Sequence, residues 1–169
     1  MTDPANVGEG FSTSLESPSR PWLVSIYVFS LSLWIGGSAF FTAGVLPALF
    51  LNMPPSDAGR IAAIVFPIYF RAGLAVGVVA TLSAWALSRG GGRRWHAAFM
   101  LLLVMVASQA WTTLVIHPEM ARIRGVEAEV PRFQELHHRS VNLNAVVLGG
   151  GIVLLALSGR LLARRRDDA

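Results

Sequence analysis

The chain has 169 residues, 53% of them hydrophobic and only 14% charged, with 14 basic against 10 acidic side chains. That balance excludes an ordinary soluble domain and fits a membrane protein. There is no cysteine, so disulfides, thiolate metal sites and cysteine nucleophiles are excluded. All the basic residues are arginines, most beside hydrophobic runs, so no nucleic-acid partner is expected.

Residues 1–20 are polar and rich in Gly, Ser and Pro, with three acidic residues before Arg20. They read as a disordered leader. The acidic flank and the long apolar run that follows do not suit a cleaved signal peptide, so the first span is expected to be retained.

Charge is absent over 21–56, 72–88, 97–116 and 140–159. Crossing a hydrocarbon core of about 30 Å takes about 20 apolar residues, and in lipid such a segment must be helical. The expected spans are 22–47, 67–88, 95–116 and 141–162, within one domain over 21–165 and followed by a short tail over 166–169. The predicted fold is an all-α integral membrane four-helix bundle.

Arginine placement orients it, because short cytoplasmic loops carry excess basic residues. Arg89, Arg93 and Arg94 join spans two and three, and Arg160, Arg164, Arg165 and Arg166 follow span four. Both termini are therefore expected to be cytoplasmic, in the cell membrane, with Trp22, Trp85 and Trp95 at the inner interface. The loop over 117–139 balances four arginines against four glutamates and reads as external.

Ser30, Gly37 and Gly44 form a small-residue stripe on span one, and Gly73, Gly77, Ala80 and Ala84 another on span two. Such stripes let helices approach closely, within the bundle or in a homo-oligomer. In span three Ser108, Gln109, Thr112 and Thr113 are expected to bond across helices. His117 precedes Pro118, which disfavours helical geometry at the histidine, and Pro131 suits the start of the last helix. Pro47 to Gly73 and Pro118 to Asn144 are both 26 residues. A duplicated hairpin would keep that spacing, although few identities join the halves.

The polar stretch HHRSVNLN over 137–144 places His137, Ser140 and Asn144 along one helical stripe, with Asn142 beside it. Asn142 and Asn144 lie inside the apolar run and need partners. Tyr69 and Arg71 fall at a similar depth. Arg71 has no charged neighbour for ten residues before it and seventeen after. The expected ligand site is an external cleft of Tyr69, Arg71, His137, Ser140, Asn142 and Asn144, suited to a small polar or anionic molecule. His117, Met120, His137 and His138 have the ligand chemistry for copper, but their spacing is not a recognised metal motif. No catalytic triad, phosphate loop or carboxylate pair appears.

With LWIGGSAFFTAGVLPALF, FPIYFRAG and LHHRSVNLN in view, the chain resembles the transmembrane protein 205-like family of small four-helix membrane proteins, from Trp22 to Leu162. That resemblance implies a fold and no settled bacterial activity; animal members are associated with platinum-drug resistance and vesicle trafficking. The block LWIGGSAFF is more distantly similar to the first helix of copper-resistance D-like and related haem-binding membrane proteins. Those relatives commonly use histidines within their spans, whereas spans one and two here hold none. The expected function is a non-enzymatic binding, transport-accessory or stress-resistance component, with a metal- or haem-binding redox protein as the alternative.

Overall fold

A computed structural model describes residues 21–90 and 92–167, with side chains described as far as Ser158. The polar leader and the last two residues lie outside the described residues. Four helices are long and apolar enough to cross a membrane, and no strand occurs among the described residues. They are α1 (Pro21–Asn52), α2 (Pro55–Ser88), α3 (Arg93–Ile123) and α4 (Val130–Asp167). The chain is a multi-helix membrane protein. Consecutive helices run antiparallel, and α4 packs back on α1, so each helix touches two neighbours. One end of the bundle, called here the terminal end, holds the start of α1, the turn after Ser88 and the end of α4. The far end holds the turns at Met53 and Arg124.

α1, α2 and α3 are longer than the expected spans because proline fails to break them. Pro54 is extended and Pro55 takes the first helical position of α2, where its missing N–H costs nothing. The helix then runs through Pro67, so the stretch before 67, expected to be a link, is the first part of α2. His117 is also helical, with φ −65° and ψ −43°, despite the proline that follows. The physical reason is a π-turn over Thr112–Ile116, in which the His117 N–H bonds to the Thr112 carbonyl five residues back. Pro118 would otherwise press its ring on the Leu114 carbonyl. That carbonyl lies at the middle of the widened turn. In α1 the π-turn Phe41–Val45 does the same for Pro47 around Ala43.

These two turns are 71 residues apart, and so are the helical segments that follow them, Leu46–Asn52 and His117–Ile123, and their extended caps Met53 and Arg124. The same offset relates buried Leu31 to Leu102, Trp34 to Met105 and Ser38 to Gln109. The far parts of α1 and α3 thus share one local design, and these two helices run in the same direction.

Between the helices lie Tyr27, Leu31, Trp34, Ile35, Ala80, Ala84, Leu102, Met105, Val147 and Leu154. At the terminal end Tyr27 meets the edge of Trp95, and the Arg89 guanidinium lies 3.8 Å over Trp85. Large side chains of α1 and α3 enter spaces left by glycines of α2 and α4. Trp34 fills the space at Gly77, Ile35 that at Gly151 and Met105 that at Gly150. The small-residue stripe of α2 packs as its spacing predicts. That of α1 packs at buried Ser30 alone: a methyl group at Gly37 would meet no atom within 4 Å, and one at Gly44 only Phe40 of its own helix. The face of α1 that packs carries its bulky residues, since a hole on α2 requires a knob opposite it.

Candidate functional site

Towards the far end the interior turns polar. Trp34 lies across α2 so that a methyl group at Gly73 would stand 3.2 Å from its indole nitrogen and 3.1 Å from the Gln109 side-chain nitrogen. Gly73 therefore gives room to both. The Gln109 amide donates to the Phe70 carbonyl at 3.2 Å, joining α3 to α2. One turn further along α1, Ser38 is fully buried, and the Tyr69 hydroxyl is turned towards it without closing a hydrogen bond. Tyr69 in turn stacks on Phe41, with ring centres 4.3 Å apart.

The contact of Met105 with Gly150 fixes the level of α4 against α3. Six residues from there, about 9 Å nearer the far end, come Trp111 on α3 and Asn144 on α4. Buried Thr112 and Thr113 follow, then half-buried His117, whose ring meets Phe70 edge-on at 4.3 Å and lies 5.8 Å from Phe66.

Four buried side-chain polar atoms in this region lack a hydrogen-bond partner: Trp34 Nε1, Tyr69 Oη, His117 Nδ1 and Asn144 Oδ1. Each comes from a different helix. An indole N–H only donates, a phenol does both, an amide oxygen only accepts, and the imidazole nitrogen does either according to its tautomer. Leaving any such atom unmatched in an apolar interior costs on the order of 1–3 kcal/mol. The hydroxyls of α3 are satisfied within their own helix. The Thr112 and Thr113 hydroxyls donate to carbonyls one turn back on α3, at 3.0 and 2.7 Å, and Ser108 does likewise. Of the four polar residues expected to link helices from α3, Gln109 alone does so among the described contacts.

The cleft expected from sequence is divided. Tyr69 and Asn144 point their polar atoms inward, and Ser140 is buried but donates to the His137 carbonyl at 2.8 Å. Arg71, His137 and Asn142 are exposed. Arg71 shares its face of α2 with exposed Ile64, Ile68 and Val78, and is directed away from the interior. The candidate metal ligands are similarly separated in environment. His137 and His138 are both exposed with ring centres 6.2 Å apart, Met120 is buried, and His117 is packed against phenylalanines. Among the described residues no group of three or more His, Asp or Glu side chains is placed to hold a metal ion. Trp34, Ser38 and His117 as interior groups escaped the sequence reading. The signal for the first two was their spacing of four residues on the face opposite the glycines, and His117 was assigned to a loop because of Pro118.

A domain of unknown function, DUF4149, matches residues 29–129, more than half of the chain, and the protein belongs to that family. The match takes in Trp34, Ser38, Tyr69, Gln109 and His117 and ends before α4. The chain is also similar to an uncharacterized protein of Aquifex aeolicus (strain VF5), 25% identical over 118 residues, covering 70% of this chain and 83% of that protein. No solved structure matches.

Proposed function

We propose that this protein is a non-enzymatic binding component of the cytoplasmic membrane, with both termini on the cytoplasmic side, that holds a small neutral hydrogen-bonding molecule between its helices near the outer face. What supports this reading is four buried polar atoms without a hydrogen-bond partner, Trp34 Nε1, Tyr69 Oη, His117 Nδ1 and Asn144 Oδ1, one from each helix. Polar groups inside a span are costly and are retained where a ligand or pathway uses them. Of the polar or anionic molecules expected from sequence, a neutral one is favoured, because Arg71 faces away from the site and an unpaired buried ion is expensive. The transmembrane protein 205-like assignment belongs to the same proposal and rests on its three sequence blocks. The cytoplasmic orientation of the termini rests on arginine placement.

Thermal unfolding of the detergent-solubilised protein tests the site. Tyr69→Phe and Asn144→Leu remove unmatched polar atoms, so each is expected to leave the melting temperature unchanged or raise it, as is usual where polar groups serve function at the expense of stability. A panel of small neutral amides and diols is then expected to include a molecule that stabilises the native sequence but neither variant. A lower melting temperature in both variants would make the two side chains structural links instead.

A further inference from the structure

A groove of about 330 Å³ lies outside the bundle at the far end of α3 and α4, separate from the interior polar cluster. Trp111, Val115, Ile116 and Glu119 of α3 line one wall, and Arg132, Glu135, Leu136 and Arg139 of α4 the other. Its chemistry changes with depth. Deepest are apolar Trp111 and Val115, 58% and 40% exposed on the lipid-facing surface. Arg139 is the innermost charge of α4 before the long uncharged run. One turn further out Glu135 accepts from Arg139 at 2.5 Å, and at about the same level on α3 Glu119 pairs with Arg132 and Arg122, which lie outermost.

From the hydrocarbon towards water the groove thus presents apolar groups, then Arg139, then the carboxylates of Glu135 and Glu119, with Arg132 and Arg122 at its outer rim. A phospholipid with a free ammonium group has the complementary order: acyl chain, phosphate, then ammonium. We propose that the groove binds one phosphatidylethanolamine-type lipid, with an acyl chain along Trp111 and Val115, the phosphate on Arg139, and the ammonium on Glu135 and Glu119. Guanidinium matches phosphate by paired N–H donation. The carboxylates accept from an ammonium N–H, which a quaternary choline lacks. The exposed Arg139–Glu135 pair is weakly held and opens readily for a headgroup that replaces both halves of it.

Native mass spectrometry of the full chain, exchanged into detergent with equal phosphatidylethanolamine, phosphatidylglycerol and phosphatidylcholine, tests this. One phosphatidylethanolamine per protein is expected to be retained over the other two. Glu135→Gln should lower its retention about tenfold and leave phosphatidylglycerol unchanged, whereas Arg139→Gln should lower both, as loss of a charge-assisted contact implies. Arg60→Gln, in an exposed pair with Asp57 outside the groove, should change neither. Equal retention of all three lipids, preference for phosphatidylglycerol, or retention of phosphatidylethanolamine by Glu135→Gln would overturn the proposal and leave only unspecific annular lipid. Because all three substituted side chains are exposed, unchanged circular dichroism is expected to accompany each result.

Discussion

Trp34 occupies the space that a side chain at Gly77 would need: a methyl group there would come within 2.7 Å of the far edge of the indole. The tryptophan is 2% exposed, and a second wall, at Gly73, limits its retreat.

Gly77→Ala should therefore lower stability by about 1–3 kcal/mol, the usual cost of overpacking a filled interior, and Gly77→Leu by more. Gly37→Leu, on the open face of α1, should leave the melting temperature in detergent nearly unchanged. Equal effects at both positions would place the α1–α2 contact elsewhere.

The Gln109 amide makes the cross-helix bond to Phe70. Its replacement in Gln109→Leu should cost about 1 kcal/mol, the range found for side-chain hydrogen bonds between membrane helices. Gln109→Glu should cost more, since it loses the donor and adds a buried acid. Chemical unfolding in mixed micelles would read both differences; a neutral Gln109→Leu would show that this bond contributes nothing measurable.

Orientation is open to labelling, because the chain lacks cysteine. Gly90 and Val126 are exposed at opposite ends of the bundle. Val126→Cys should react with an impermeant thiol reagent in intact cells, and Gly90→Cys only after the membrane is opened. The reverse pattern would put the termini outside.

Chelators should leave the melting temperature unchanged, and the purified protein should show no Soret band. His117 is wedged against Phe66 and Phe70 while His137 and His138 face outwards. Stoichiometric copper after metal-free washing would contradict this.

Four spans were legible because an uncharged run of bilayer length has few other uses. Helix ends were less so. Local rules put breaks before Pro67 and at His117, but in lipid a broken helix leaves backbone groups unmatched, a penalty greater than that of accommodating proline. The packing face of α1 was misread for a different reason: Gly37 and Trp34 are both plausible contacts on one helix, and only the glycines opposite, on α2, decide between them. Tyr69 and Asn144 were recognisable as polar groups within oily runs, whereas Arg71 shared that mark and faces the other way. Direction around a helix depends on its neighbours, and the step of two positions from Tyr69 to Arg71 turns by about 200°.

The π-turns also set phase. Each inserts one residue into the helical count, so every side chain beyond it is rotated by about 100° from where an uninterrupted α-helix would present it. In α3 His117 follows Met105 at a distance that would put it about 120° round an uninterrupted α-helix, and the extra residue of the turn brings it back to about 20°. His117 inherits its inward nitrogen from the same offset. Excision of Leu114, which lies within the turn, would restore an ordinary helical count while leaving both flanks facing as they do now. The same excision at Val104, in regular helix, would turn everything beyond it away from its neighbours. α1 and α3 carry this extra residue at corresponding places, so the far segment of each is geared to the near one by a fixed angular step.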